Sequence, residues 1–141
     1  MYDLIIAGGG PAGVAAGVYA ARKKMKTLFI ADSFGGQSLV SADIQNWIGT
    51  KNLSGLDLAK NLEEHLRAQD IGIVSGGKVK SVEKIDGGFR IGFEQGKSFE
   101  TKTFLICTGS RRRRLGIPGE DRLDGRGVAF CSTCDAPIFA D

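Results

Sequence analysis

No run of apolar residues approaches the ~20 that a membrane-spanning helix needs, so a membrane partner is not expected. The opening Met1-Tyr2-Asp3-Leu4 lacks the basic start and cleavage site of a secretory leader. Cysteine is scarce and odd in number, at three. That argues against a secreted disulfide framework and for a reducing cytoplasm, where a cysteine pair is catalytic or metal-bound. There is one histidine, His65. It lies beside a leucine stripe with charged residues around it, which reads as a surface helix position rather than a catalytic one. An excess of charge is also lacking. Nineteen Lys and Arg against sixteen Asp and Glu leave +3, too mild to imply nucleic acid. Glycine is what the chain has in quantity: 21 of 141 residues, about twice the usual ~7%. It falls in turns and loops. A chain of this length makes one modest domain with a single core.

Near the end stands Cys131-Ser132-Thr133-Cys134-Asp135. Two thiols separated by two residues can close a small disulfide ring, and each can lower the other's pKa. Asp135 gives the neighbouring thiolate a proton donor. Such a pair can pass two electrons but cannot take them from a nicotinamide without an electron carrier close by. A zinc site drawn from Cys131, Cys134, Cys107 and His65 is the weaker alternative, because it offers one ligand pair plus two scattered residues. No metal is expected.

The N-terminus suggests the carrier. Tyr2 to Ala7 reads as a buried strand, Gly8-Gly9-Gly10-Pro11-Ala12-Gly13 as a turn, Val14 to Lys24 as a helix and Thr27 to Ala31 as a second strand ending in Asp32. Gly8 permits the tight turn, Gly10 lets backbone approach a pyrophosphate, and Gly13 lets helix and strand pack closely. The helix N-terminus offers N–H groups and partial positive charge. Asp32, 19 residues after Gly13, sits where an acid accepts ribose hydroxyls. An acid there repels a 2′-phosphate and favours FAD or NAD over NADP.

Phe34-Gly35-Gly36-Gln37 and Gln45-Asn46-Trp47-Ile48-Gly49 are each either plain loops or further cofactor contacts. Ser54 with Asp57 reads as a capping-box variant opening a helix whose Leu58, Leu62 and Leu66 form one stripe. Ile71 to Ser75 reads as an apolar strand and Lys78 to Ile85 as a weaker one. Asp86-Gly87-Gly88 signals a hairpin, and Phe89 to Phe93 alternates. Lys97 to Lys102 reads as a further short strand and Thr103 to Cys107 as a separate apolar one. Cys107 reads as structural. Arg111 to Arg114 is a basic run, read as a solvated loop; it lacks the interleaved aromatic residues of a nucleic-acid binder. Gly116 to Glu120 reads as a linker.

Taken together the chain resembles the front of bacterial thioredoxin reductase of the low-molecular-weight type. The flavoprotein component of alkyl hydroperoxide reductase is nearly as similar. The resemblance rests on Gly8 to Gly13, Phe34 to Gln37, Gln45-Asn46-Trp47, Cys107-Thr108-Gly109, Gly116 to Glu120 and Cys131 to Asp135, in that order. It implies an α/β, Rossmann-like, three-layer FAD-binding domain, with a parallel sheet and a small antiparallel β-meander, in truncated form. Residues 1–112 would be the FAD-binding part. Residues 113–141 would be linker and the start of an NADPH domain carrying the redox pair.

The resemblance also implies roles. Gly8, Gly10, Pro11, Ala12 and Gly13 would hold the FAD pyrophosphate, and Asp32 the adenosine ribose. Gly36, Gln37 and Asn46 would reach the ribityl chain and flavin. Val79 would meet the adenine by its backbone, and Thr108 and Gly109 would line the site. NADPH would reduce the flavin and the flavin would reduce the pair. Cys134 would lie nearest the flavin, Cys131 would attack the partner disulfide and Asp135 would donate a proton. The partner would be thioredoxin or a similar redox protein, and the assembly a homodimer. The NADPH loop and a later Gly-Asp segment that closes over FAD are not on this chain, so it is expected to be inactive with NADPH alone.

Overall fold

Ile5 and Ile6 point to opposite sides of one strand, yet both are wholly buried. A strand covered on both faces belongs inside a layered sheet. That strand, β1 (Tyr2–Gly9), pairs in parallel with β2 (Thr27–Phe34) on one side and β6 (Ser98–Ile106) on the other. The structure, a computed structural model, describes residues 1–94, 96–111, 113–124 and 126–130. Beyond β2 lies β3 (Gly72–Ser75), again parallel. Beyond β6 lie β5 (Gly88–Phe93) and β4 (Val79–Ile85), both antiparallel. The six strands run in the order β3-β2-β1-β6-β5-β4.

Helix α1 (Pro11–Arg22) and helix α2 (Gly55–Arg67) cover one face of the parallel strands. Val14 and Val18 of α1 and Leu58, Leu62 and Leu66 of α2 pack there on Ile6, Phe29, Ala31 and Phe34. On the opposite face Ile5, Leu28 and Ile30 meet Ile91 and Phe93 of the meander. The result is the expected three-layer α/β arrangement: helices, parallel strands, antiparallel meander. α2 begins as its residues dictate, with Ser54 Oγ accepting the Asp57 N–H at 3.1 Å.

Two expectations need correction. α1 starts at Pro11, not Val14, because proline lacks the N–H that a first-turn residue leaves unused and its φ already suits a helix. Lys97 to Lys102 and Thr103 to Cys107 are not separate strands. They form the single strand β6, which changes partners at Thr101. That residue is opposite Phe89 in the antiparallel ladder and opposite Tyr2 in the parallel one. It is fully buried, and its hydroxyl donates to the Thr103 carbonyl at 2.8 Å. The switch from alternating to continuous hydrophobicity marks a change of neighbour, not a turn.

The chain divides into two compact units, Met1–Gly109 and Ser110–Asp141. In the second, a short helix α3 (Glu120–Leu123) follows the loop. Arg114 is not part of a merely solvated basic run: it pairs with Glu120 at 3.3 Å, with Asp121, and with Asp124 at 3.1 Å. Its guanidinium also stands 5.3 Å from the Phe130 ring centroid. The buried Glu120 carboxylate accepts the N–H groups of Leu115 at 3.0 Å and Gly116 at 2.7 Å. Burial pushes this carboxyl up, but the backbone N–H groups and the Arg114 charge outweigh it and hold the group below its ordinary value. Among the described residues no helix is long and apolar enough to cross a membrane.

Candidate functional site

The site is built where β1 ends and α1 begins. Gly8 takes a φ of +123°, and a side chain there would collide with the Cys107 carbonyl. A side chain at Gly13 would collide with the Gly8 carbonyl oxygen, so helix and strand meet backbone to backbone. Gly10 caps the helix with extended backbone and has no side chain to give its first-turn N–H groups. The first turn carries no acid, and Pro11 has no N–H. The Ala12 and Gly13 N–H groups precede the first intrahelical bond, in which the Val14 N–H reaches the Gly10 carbonyl at 3.1 Å. Among the described residues they have no acceptor, which leaves them for a ligand. A Cβ at Gly10 would meet nothing within 4 Å among the described residues. Among the described residues the helix tip is thus uncapped, partly positive and open, which fits a diphosphate.

The second glycine turn is docked onto the first. Gly35 donates its N–H to the Gly9 carbonyl at 2.9 Å, and a Cβ at Gly36 would stand 3.4 Å from the Gly10 Cα. Ser38 Oγ donates to the Gly35 carbonyl at 2.5 Å and braces the turn. Gln37 is exposed beside it. Asn46 sits on an exposed loop pinned by the Ile44–Leu53 bridge. No hydrogen bond among the described residues joins it to either glycine turn.

Asp32 lies inside β2, not at its end, and is half exposed. Its Oδ2 is 3.2 Å from Lys78 Nζ. Lys78 immediately precedes Val79 at the start of β4. Sequence reasoning gave Lys78 no role, and only its place before Val79 could have drawn notice. Val79 and Thr108 line one cleft of about 210 Å³, with Ala7, Phe104 and Ile106 supplying an apolar wall. Gly109 follows in the left-handed region at φ +64°.

Cys107 is partly buried, and burial pushes its thiol pKa up, away from a reactive thiolate. Its N–H bonds the Ala7 carbonyl at 2.8 Å. His65 is exposed on α2. Cys131, Cys134 and Asp135 lie outside the described residues. The structure thus brings together Gly8, Gly10, Pro11, Ala12, Gly13 and Gly36 around the helix tip, and Val79 with Thr108 at the cleft.

Comparison with known proteins accords with this geometry. The profile of the pyridine nucleotide-disulphide oxidoreductases matches residues 2–141. Over 138 residues the chain is 44% identical to the alkyl hydroperoxide reductase F subunit of Staphylococcus epidermidis, covering 98% of this chain and 27% of that protein. The Staphylococcus aureus protein of the same name is 42% identical over the same shares. The crystal structure of thioredoxin reductase from Streptococcus pyogenes superposes with a TM-score of 0.86 at 37% identity, covering 100% of this chain and 46% of that one. That from Lactococcus lactis gives 0.80 at 37%, covering 96% and 44%. The chain therefore spans about a quarter of the curated relatives it matches and just under half of the solved ones. On this extent of likeness, the chain belongs to the pyridine nucleotide-disulphide oxidoreductase family.

Proposed function

We propose that this chain holds FAD for a flavoprotein disulfide reductase whose electrons come from NADPH and leave through Cys131 and Cys134. The observation that carries the reading is the uncapped, open N-terminus of α1 with the second glycine turn bonded beside it. Bound there, FAD would supply a two-electron carrier. The Ala12 and Gly13 N–H groups would receive its pyrophosphate, Asp32 its adenosine ribose and Val79 its adenine. Thr108 and Gly109 would line the site, and Gly36, Gln37 and Asn46 would face the flavin end.

The thiol chemistry rests on sequence and family alone. Two electrons and two protons convert the Cys131–Cys134 disulfide to the dithiol. Cys131 gives its proton to solvent and, as the thiolate, attacks the partner disulfide, forming a mixed disulfide and releasing one partner thiolate; Asp135 protonates that thiolate and regains a proton from solvent. Cys134 then attacks the Cys131 sulfur, re-forms the ring and frees the second partner thiol. The partner is thioredoxin or a similar redox protein. The relatives named as the alkyl hydroperoxide reductase F subunit favour a protein that feeds a peroxidase as the second possibility. Residues 1–112 form the FAD-binding part and 113–141 open the NADPH part of a cytoplasmic homodimer.

A second reading is a nucleotide-binding fragment without turnover. It needs only the open tip of α1 and the second glycine turn bonded beside it, with no part played by the thiol pair. Reductive titration of the FAD-loaded chain separates the two. If the pair exchanges electrons with the flavin, full reduction takes two electrons more than in a Cys134→Ser variant. Equal uptake by both would leave only the binding fragment.

A further inference from the structure

The segment between β3 and β4 is tied down at three points. Gly76 donates its N–H to the Ala31 carbonyl at 3.1 Å, next to Asp32. Lys78 donates its N–H to Glu94 Oε2 at 3.1 Å, and Glu94 returns its N–H to the Lys78 carbonyl at 3.1 Å. With its backbone held on both sides, Lys78 projects Nζ to within 3.2 Å of Asp32 Oδ2. The next residue is Val79, opposite Phe93 in the β4–β5 ladder and on the wall of the cleft.

One residue therefore joins the acid on β2 to the backbone that opens β4. We propose that Lys78 is the positioning residue of the adenosine end, holding the Asp32 carboxylate in the orientation that accepts ribose hydroxyls. This rests on the nucleotide site proposed above. The chemistry is that of a carboxylate with several acceptor positions. Lysine occupies one on Oδ2 and leaves the others for two vicinal hydroxyls. Asp32 is about half exposed, so without the ammonium its carboxylate is free to rotate into water. The same lysine offsets a charge that would otherwise face an anionic ligand alone.

The test compares 5′-ADP with 2′,3′-dideoxy-ADP by calorimetry on the full 141-residue chain. The wild-type chain should prefer the ribose form by about tenfold, as hydrogen bonds to a charged group allow. Lys78→Met should shrink that preference about two- to fivefold, the scale of a half-exposed ion pair. Lys78→Arg should restore it. Asp32→Asn should abolish it, and adding Lys78→Met to Asp32→Asn should then change nothing further. If Lys78→Met weakens both nucleotides equally, or neither, the lysine does not act through Asp32 and the proposal is wrong. If the wild-type chain binds neither nucleotide, the nucleotide site itself fails and the role of Lys78 fails with it. Binding with an unchanged preference sinks only Lys78.

Discussion

The Gly35 N–H bonds the Gly9 carbonyl oxygen at 2.9 Å, so the turn after β2 is fastened to the turn after β1. Two glycine-bearing loops 26 residues apart thereby share one rim, with Gly36 against Gly10 above the tip of α1. The nucleotide reading depends on that rim being open.

Replacing Gly10 with valine tests the opening without disturbing the fold. Its φ of −77° and ψ of 177° suit any residue, and among the described residues nothing stands where the side chain would go. Gly10→Val should leave the melting temperature near wild type. It should weaken FAD or ADP binding about tenfold or more, because the side chain occupies the approach path. Calorimetry beside a thermal melt reads both.

Gly13→Ala should do the reverse. The new Cβ meets the Gly8 carbonyl, which belongs to the backbone and cannot swing aside. A loss of about 1–3 kcal/mol is expected from overpacking, seen as a lower midpoint in urea. An unchanged midpoint would mean that helix and strand are less tightly apposed than that contact requires.

Acid should loosen the second unit through Glu120. Its folded pKa lies below the ordinary glutamate value of 4.5, so ionisation favours the folded turn. That contribution is complete above 4.5 and fades as pH falls through the lower folded value. NMR shifts of the Leu115 and Gly116 amides should move in that acid window, and Glu120→Gln should remove the transition. Movement centred above 4.5 would contradict the sign.

Cys107 should be slow to react. Burial raises its thiol pKa, so little thiolate exists near neutral pH. Iodoacetamide followed by peptide mass spectrometry of the reduced chain should label Cys107 later than the peptide carrying Cys131 and Cys134. Equal rates would count against either the burial of Cys107 or the activation of the pair.

Much of this fold is legible in short stretches of sequence. Leu4-Ile5-Ile6, the glycine turn and the stripe of Leu58, Leu62 and Leu66 each announce their element because the signal is local and periodic. The unity of β6 is not legible in that way. Its two halves differ in pattern because Thr101 hands the strand from β5 to β1, and a partner change leaves no turn residue behind. The Asp32–Lys78 pair is hidden for a related reason. It spans 46 positions and exists because Gly76 and Glu94 fix the path between β3 and β4. Arg114 looks like one of several loop arginines until Glu120, Asp121 and Asp124 are folded around it.

The most direct measurement is a fluorescence titration of FAD into the wild-type chain, repeated with ADP present and with Gly10→Val. Saturable binding of one FAD per chain is expected, displaced by ADP and weakened about tenfold or more in the valine variant. Absence of saturable binding, or binding that neither ADP nor the valine disturbs, would contradict the nucleotide reading.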